Sequence, residues 1–377
     1  MSSSSSSSHS KSSESLHRYK NTQVQFGLIK TIYQIYKTSI GSNLCLIQVS
    51  LCDETVINFR CSIKPEDVVV DSRFCSGFGG DLSWGCGYRN LQIIFSSICH
   101  SQPQSVLIHR LSNCDDNSNS NSISNSISSS INPAVITVPG LVEWQSIIQR
   151  AWNDGFDKIG SDHFSGKLVG KRTWIGTTEL YVALSYLGIR VRILDFPRPT
   201  GPNDTHSKLL DWVIDYFVKP VRLSTHSKPS VAPEIHLSAK PPLYLQHSGH
   251  SRTIIGVEIS DGHDSNCLLV LDPAKSISRR LRRLTNSVVG RGVSSGVFTS
   301  SRSEDSSNPS PPDKLGDGDV VDLQSDLFDL KLLKPHRINL KQLSRFKQYQ
   351  ILYVEDASPL TEREISERKT ITSTRIE

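Results

Sequence analysis

Apolar positions along the middle of the chain recur first at the spacing of a helix and later at that of a strand. Leu91, Ile94, Phe95 and Ile98 fall at i, i+3, i+4 and i+7, so the stretch after Cys86 is predicted to be helical. Trp144, Ile147, Ile148, Ala151 and Trp152 make a second stripe, opened by Pro139-Gly140 and closed by Gly155. A third helix is predicted from about Thr177 to Leu187, stopping at Gly188, with strand-like Ile189–Leu194 directly after it. Leu209, Trp212, Val213 and Tyr216 predict a fourth helix that Pro220 should end. From Leu243 the pattern becomes that of strands. Leu243–Gln246, Thr253–Ile259, Cys267–Leu271 and Tyr349–Val354 are short runs rich in branched and aromatic residues. Helices followed by a mostly antiparallel sheet make an α+β fold.

Polar tracts interrupt these patterns. Met1 to about Leu16 is a serine run, about Ser112–Ser130 is rich in Ser and Asn, and about Thr285–Asp319 is rich in Ser, Gly, Pro and Asp. Such composition cannot supply a core, and a polar loop lengthens at small entropic cost. The two internal tracts are therefore read as disordered insertions in one catalytic-sized domain at 17–355. A disordered tail at 1–16 precedes it and a charged tail at 356–377 follows.

Composition narrows the function classes. The 377 residues are 36% hydrophobic, enough for one large core. A formal net charge of +5 with both signs scattered describes a solvated surface and argues against a nucleic-acid partner. The one dense run, Arg279, Arg280, Arg282 and Arg283, reads as a solvated helix face or a localisation patch. None of the 8 cysteines forms C-x-x-C, and no H-x-x-x-H partner follows, so no zinc finger, metal or other cofactor is expected. The N-terminal tract has no apolar h-region, and no apolar run approaches ~18 residues. The expectation is a soluble monomer, cytoplasmic or nuclear, with reduced thiols and no membrane partner.

Cys86 stands in Ser83-Trp-Gly-Cys-Gly-Tyr-Arg-Asn-Leu-Gln92. Gly85 and Gly87 would leave its sulfur uncrowded and let a substrate backbone approach. The start of a helix favours a thiolate, and the free N–H groups of the first turn can bind a developing oxyanion. A thiolate nucleophile needs a base, and the base an orienting group. Candidates lie in Gln246–Thr253 and Leu269–Pro273, with Ser260-Asp-Gly-His-Asp-Ser265 as a turn between them. If the two runs fold back as a hairpin, the midpoint of His250 and Asp272 is position 261, inside that turn. The two side chains would then face each other with Cβ atoms ~5 Å apart. His247 and His263 read as surface histidines near turns.

The strings W-G-C-G-Y-R-N-x-Q, L-Q-H-x-G-H-S-R-T, L-L-x-L-D-P and K-Q-Y-Q-I-L-x-V-E resemble the ubiquitin-fold-modifier-specific protease family, papain-like cysteine peptidases of family C78. The match is closest to its zinc-finger-containing ubiquitin peptidase branch, over about Asp71–Glu355 and without the zinc fingers. The resemblance implies a papain-like fold, a Cys86–His250–Asp272 triad, and no cofactor. It also implies a deubiquitinating thiol isopeptidase acting on ubiquitin or polyubiquitin chains of the lysine-sixty-three-linked type. A protease for the ubiquitin-fold modifier and a non-catalytic ubiquitin-binding module are the alternatives. The family's oxyanion tyrosine upstream of the cysteine has no counterpart, since Phe74 and Phe78 cannot donate, and Gln246 is the substitute donor. By the same resemblance Asp157 and Glu179 would pair with arginines of the modifier's tail and Trp174 would pack on it. Trp174 reads equally as a core residue and Glu179 as a first-turn acid complementing a helix dipole.

Overall fold

The computed structural model describes residues 28–39, 44–50, 84–101, 138–222, 234–238, 240–260, 265–275, 277–293, 329–355 and 358–377. The serine run, the insertion at 112–130, Phe74, Phe78 and His263 lie outside them. In chain order the elements are α1 (Leu28–Ser39), β1 (Leu44–Ser50), α2 (Cys86–Ser101), α3 (Leu141–Asn153), the short α4 (Lys158–His163), α5 (Thr177–Tyr186) and β2 (Val191–Phe196). Then come α6 (Ser207–Arg222), β3 (Glu234–Ser238), β4 (Leu243–His247), β5 (His250–Ser260), β6 (Cys267–Leu271) and α7 (Arg279–Val293). The last are β7 (Arg337–Asn339), the short α8 (Leu340–Leu343), β8 (Tyr349–Val354), α9 (Glu362–Glu367) and β9 (Ser373–Arg375).

The helices that the apolar period placed after Cys86, around Trp144 and from Thr177 are all present. At the starts of α3 and α5 a glutamate in the first turn accepts the N–H of the glycine before the helix: Glu143 from Gly140 at 2.7 Å, Glu179 from Gly176 at 2.6 Å. Gly188, at φ +80°, ends the α5 segment as its sequence suggested. Helix α6 departs from expectation by running through Pro220 to Arg222. Pro220 stands in the last turn, where the single ladder bond it cannot donate is the only one at stake before the helix stops.

Nine strands form one sheet among the described residues, along the path β3-β1-β5-β4-β8-β2-β9, with β6 and then β7 beside β5. The pairs β1–β3 and β2–β9 are parallel, and the others are antiparallel. Alternation along the strands sends side chains to two faces. On β6, Leu269 and Leu271 join Ile32 of α1 and Leu281 of α7. Leu268 and Val270 point the other way, to Leu209, Val213 and Phe217 of α6. Helices α2, α3 and α5 gather around Phe95, Trp144 and Leu180 over Tyr244, Leu352 and Val354. This α+β arrangement holds the start of α2 above the β4–β5 hairpin.

Two polar segments are folded where loops or tails were expected. Residues 285–293, the beginning of the second expected insertion, continue α7. Its Leu281 and Leu284 are buried while Arg279, Arg280 and Arg283 face solvent and Arg282 is half-buried, so three of the four arginines form the solvated face of an amphipathic helix. Beyond residue 357, Leu360 and Ile365 are buried in the α5 core. Arg190 pairs with Glu364 at 2.5 Å, and β9 adds to the edge of β2. Ion pairs and backbone bonds anchor this segment, so its charge-rich composition hides its attachment.

Candidate active site

Cys86 opens α2, and the Arg89 N–H closes the first turn on the Gly85 carbonyl at 3.0 Å. Tyr88, Leu91, Ile94 and Phe95 are fully buried, so the apolar stripe fixes the helix and with it the sulfur. At this end the N–H groups lack helical acceptors and the dipole favours an anion. Gly87 serves the protein's own packing rather than a substrate's approach: a side chain there would collide with the Ile175 carbonyl oxygen.

His250 begins β5 straight after a Ser248-Gly249 turn, in which Gly249 adopts φ +84°. The β5–β6 register differs from the one expected. Thr253 faces Leu271, Ile254 faces Val270, and a bulge intervenes before Gly256 faces Leu269. Carried forward, that register sets Asp272 opposite Arg252 rather than His250. Residues two apart share a face of the sheet, so one carboxylate reaches both. Oδ1 lies 2.7 Å from His250 Nε2, and Oδ2 accepts from Arg252 Nε at 2.8 Å. Oδ1 also accepts the Ala274 N–H at 2.9 Å. The histidine and the acid thus meet as expected, by a diagonal contact instead of a direct cross-strand one.

With Nε2 engaged by Asp272, Nδ1 is the ring nitrogen left for the thiol, and Cys86 and His250 are hydrogen-bonded. Burial opposes the imidazolium, but the hydrogen bonds to Asp272 and Cys86 prevail and raise the His250 pKa to about 9. At Cys86 burial likewise opposes the charge. Hydrogen bonds from His250 and Ser251, with the imidazolium's field, outweigh it and bring the thiol below its ordinary value. Burial is overcome at Asp272 too, where His250 and Arg252 hold the carboxyl well below the usual carboxylate range. The arrangement favours a thiolate beside an imidazolium that a carboxylate steers.

Several residues that complete this arrangement escaped the sequence reading. His247, read as a surface histidine, is buried and stacks on Phe346 at 3.5 Å. Burial first, and then Arg252, lower its pKa to about 4. The neutral ring therefore gives its Nδ1 hydrogen to the Ser248 carbonyl at 2.9 Å and accepts from Arg252 at Nε2 at 3.0 Å. Arg252 is braced on both sides, by His247 and by Asp272. The available sign was its spacing of two from His250.

Gln246 is anchored by its oxygen. Oε1 accepts from the Thr177 N–H at 2.9 Å, the Thr177 hydroxyl at 3.1 Å and the Tyr244 hydroxyl at 3.0 Å. Three donors on one oxygen assign the amide orientation and leave Nε2 as the donating end. Gln246, Cys86 and His250 line one cleft of about 260 Å³, together with Phe164, Trp174 and Gly249. The structure thus brings the triad and Gln246 together.

The expected substrate residues fare differently. Trp174 is 50% exposed, so it is not core, and a Cβ at Gly249 would sit 3.9 Å from its ring. Glu179 lines the cleft but is 6% exposed. Its oxygens accept from Gly176 N–H and the Thr178 hydroxyl at 2.6 and 2.9 Å. Burial raises its pKa, and its geometry is that of the first-turn acid. Asp157 is not among the cleft's lining residues, although its charge acts on Glu179. It caps α4 by accepting the Gly160 N–H at 3.1 Å, and its own N–H donates to the Lys369 carbonyl at 2.8 Å. Among the described residues no group of 3 or more His, Cys, Asp or Glu side chains is arranged to hold a metal ion. Nor is any described helix long and apolar enough to cross a membrane.

Comparison with known proteins adds the following. Residues 119–302 match the model of peptidase family C78, a stretch that contains His250 and Asp272 and begins after Cys86. Zinc finger-containing ubiquitin peptidase 1 of Rattus norvegicus is 37% identical over 216 residues, 57% of this chain and 31% of that protein. Its Homo sapiens counterpart is 31% identical over 284 residues, 75% of this chain and 36% of that protein. Ubiquitin carboxyl-terminal hydrolase mug105 of Schizosaccharomyces pombe is 28% identical over 214 residues, 56% of this chain and 68% of that protein. The chain spans about a third of the length of the zinc finger-containing relatives it matches. The crystal structure of UfSP from C. elegans aligns with 76% of this chain and 32% of that one, at 15% identity and a TM-score of 0.35, too slight a likeness to argue from.

Proposed function

From the match of residues 119–302 to peptidase family C78 we propose that the chain is a member of that family and a deubiquitinating thiol isopeptidase with Cys86 as nucleophile, His250 as base and Asp272 as orienting acid. The observation that carries the reading is that Cys86, from a helix start, and His250, from a hairpin, line one cleft, while Asp272, from a strand end, holds His250 at 2.7 Å. The Cys86 thiolate attacks the carbonyl of the modifier's terminal glycine, and a thioester forms as the lysine amine leaves with a proton from His250. A water molecule that His250 then deprotonates releases the modifier. Trp174 beside Gly249 forms a slot that suits a glycine-rich tail, which is how ubiquitin ends. The relatives named for ubiquitin support that modifier, and lysine-sixty-three-linked chains are the proposed substrate. The test exposes the purified chain to electrophilic probes built on ubiquitin and on the ubiquitin-fold modifier, followed by digestion of chains of every linkage. The ubiquitin probe should label Cys86; preferential labelling by the other probe would reassign the substrate.

Within this reading Gln246 Nε2 and the first-turn N–H groups of α2 form the oxyanion site. Gln246→Ala should lower kcat about 10²-fold with little change in KM, the usual cost of one oxyanion donor. An unchanged kcat would remove Gln246 from the mechanism.

A further inference from the structure

We infer that Arg252, held against Asp272 by His247, is a positioning residue for the triad that fixes the orienting carboxylate and supplies the site's second cation. The inference rests on the proposed triad. A carboxylate steers an imidazole only while its own orientation is set, and a bond at one oxygen leaves the other free to swing. In Asp272 neither oxygen is free. Oδ1 meets His250 Nε2 at 2.7 Å and the Ala274 N–H at 2.9 Å, and Oδ2 accepts from Arg252 Nε at 2.8 Å. Arg252 is thus the partner that pins the far oxygen.

The guanidinium is in turn set by the hairpin. His250 and Arg252 stand two apart on β5 and share a face of the sheet, and His247 of β4 lies directly opposite His250. That register brings the His247 Nε2 within 3.0 Å of a terminal Arg252 nitrogen. The ring is held against turning away. It stacks on Phe346 at 3.5 Å and 16°, and its Nδ1 is bonded to the Ser248 carbonyl at 2.9 Å. With its hydrogen on Nδ1, the imidazole offers Nε2 as an acceptor without charge. A carboxylate there would compete with Asp272 for the cation; a neutral ring braces the guanidinium and leaves its charge to Asp272. Asp272 is 3% exposed and Arg252 19%, and charges so far from solvent need compensation. A thiolate, an imidazolium and a carboxylate sum to a net negative charge. With Arg252 the site holds two charges of each sign.

The titratable and charged groups facing His250 are Cys86 of α2, His247 of β4, Arg252 of β5 and Asp272 after β6, with Tyr244 and Glu179 in the same cleft. The Arg252 charge opposes the imidazolium, so its removal should raise the His250 midpoint, the reverse of removing Asp272. The experiment follows the His250 ring by NMR titration, and kcat on ubiquitin carrying a fluorogenic C-terminal amide, in the full chain. Arg252→Met should raise the midpoint above the wild-type value of about 9 and lower kcat about tenfold, the value of one hydrogen bond to a charged group. Arg252→Gln separates the two roles, because its Nε2 stands as many bonds from the backbone as the Arg252 Nε that holds Asp272. It should raise the midpoint likewise yet keep kcat within about threefold of wild type. A midpoint unmoved or lowered in Arg252→Met, or in Arg252→Gln should the first variant not fold, overturns the inference. Wild-type kcat in Arg252→Met overturns it too. A wild-type chain without turnover on that substrate overturns the proposed function instead, and the His250 titration then decides on Arg252 alone.

Discussion

A Cys86→Ala variant should lose at least about 10⁴-fold of its isopeptide turnover, as removal of the nucleophile from a triad does, while keeping its fold and its affinity for ubiquitin. The sulfur stands at the rim of a cleft and is only part-buried, so its removal opens no core cavity. Alanine is the best helix former, and α2 is pinned by the fully buried Tyr88, Leu91, Ile94 and Phe95, none of which touches the chemistry. The thermal midpoint should therefore stay within about 2 °C of wild type. Cys99 and Cys267 are buried, and burial with the nearby Glu258 pushes the Cys267 thiol up. Among the described cysteines, the ubiquitin probe should accordingly label Cys86 in wild type and neither Cys99 nor Cys267 in the variant. Turnover that survives within about tenfold, or labelling that moves to another cysteine, would transfer the nucleophile elsewhere.

Why Cys86 was legible while its neighbours were not has a physical answer. A cysteine just before an apolar 3.6-residue period is visible as a helix start, and helix starts have intrinsic chemistry. Asn90 carried a sign of its own, a polar residue inside the apolar stripe and one turn from Cys86, yet its partners Ser251 and Thr253 lie more than 160 positions away. His247 sits beside a turn, and nothing local shows that Phe346 covers it. The hairpin arithmetic found the right acid with the wrong register. The hairpin is centred beyond position 261, with Glu258 opposite Cys267 and, past a bulge between Ile254 and Gly256, Thr253 opposite Leu271, and only the spacing of two between His250 and Arg252 lets one carboxylate serve both. The C-terminal segment read as a tail because Leu360 and Ile365 are two apolar residues among many charges. Their burial depends on the α5 core, which strand and helix periods do not report.

Asp272→Ala should cost about 10³-fold in turnover and about 3 kcal/mol in stability, the penalty for stripping one member from a buried ion cluster. Its carboxylate, 3% exposed, serves two cations, so its loss leaves Arg252 with His247 alone and His250 with the thiol alone. The pH dependence separates these effects. The folded Asp272 pKa lies below the unfolded value of ~3.9, so its contribution is present above that value and fades as pH falls through the folded pKa. His250 behaves oppositely. Its folded pKa of about 9 exceeds an unfolded value of ~6.5, so its contribution is complete below ~6.5 and is lost as pH rises through about 9. The stability gap between wild type and Asp272→Ala should therefore narrow between those two pH values. It is best measured in a Cys86→Ala background, where no thiolate titrates across the same window. In activity, the alkaline limb of kcat/KM, where His250 loses the proton it gives to the leaving amine, should fall from about 9 toward the ordinary histidine value. Asp272→Asn divides orientation from charge: its carbonyl still accepts from His250 Nε2, so most of the turnover should survive, yet the alkaline limb should move as it does in Asp272→Ala. An alkaline limb that stays near pH 9 in both variants would mean that some group other than Asp272 holds the proton on His250.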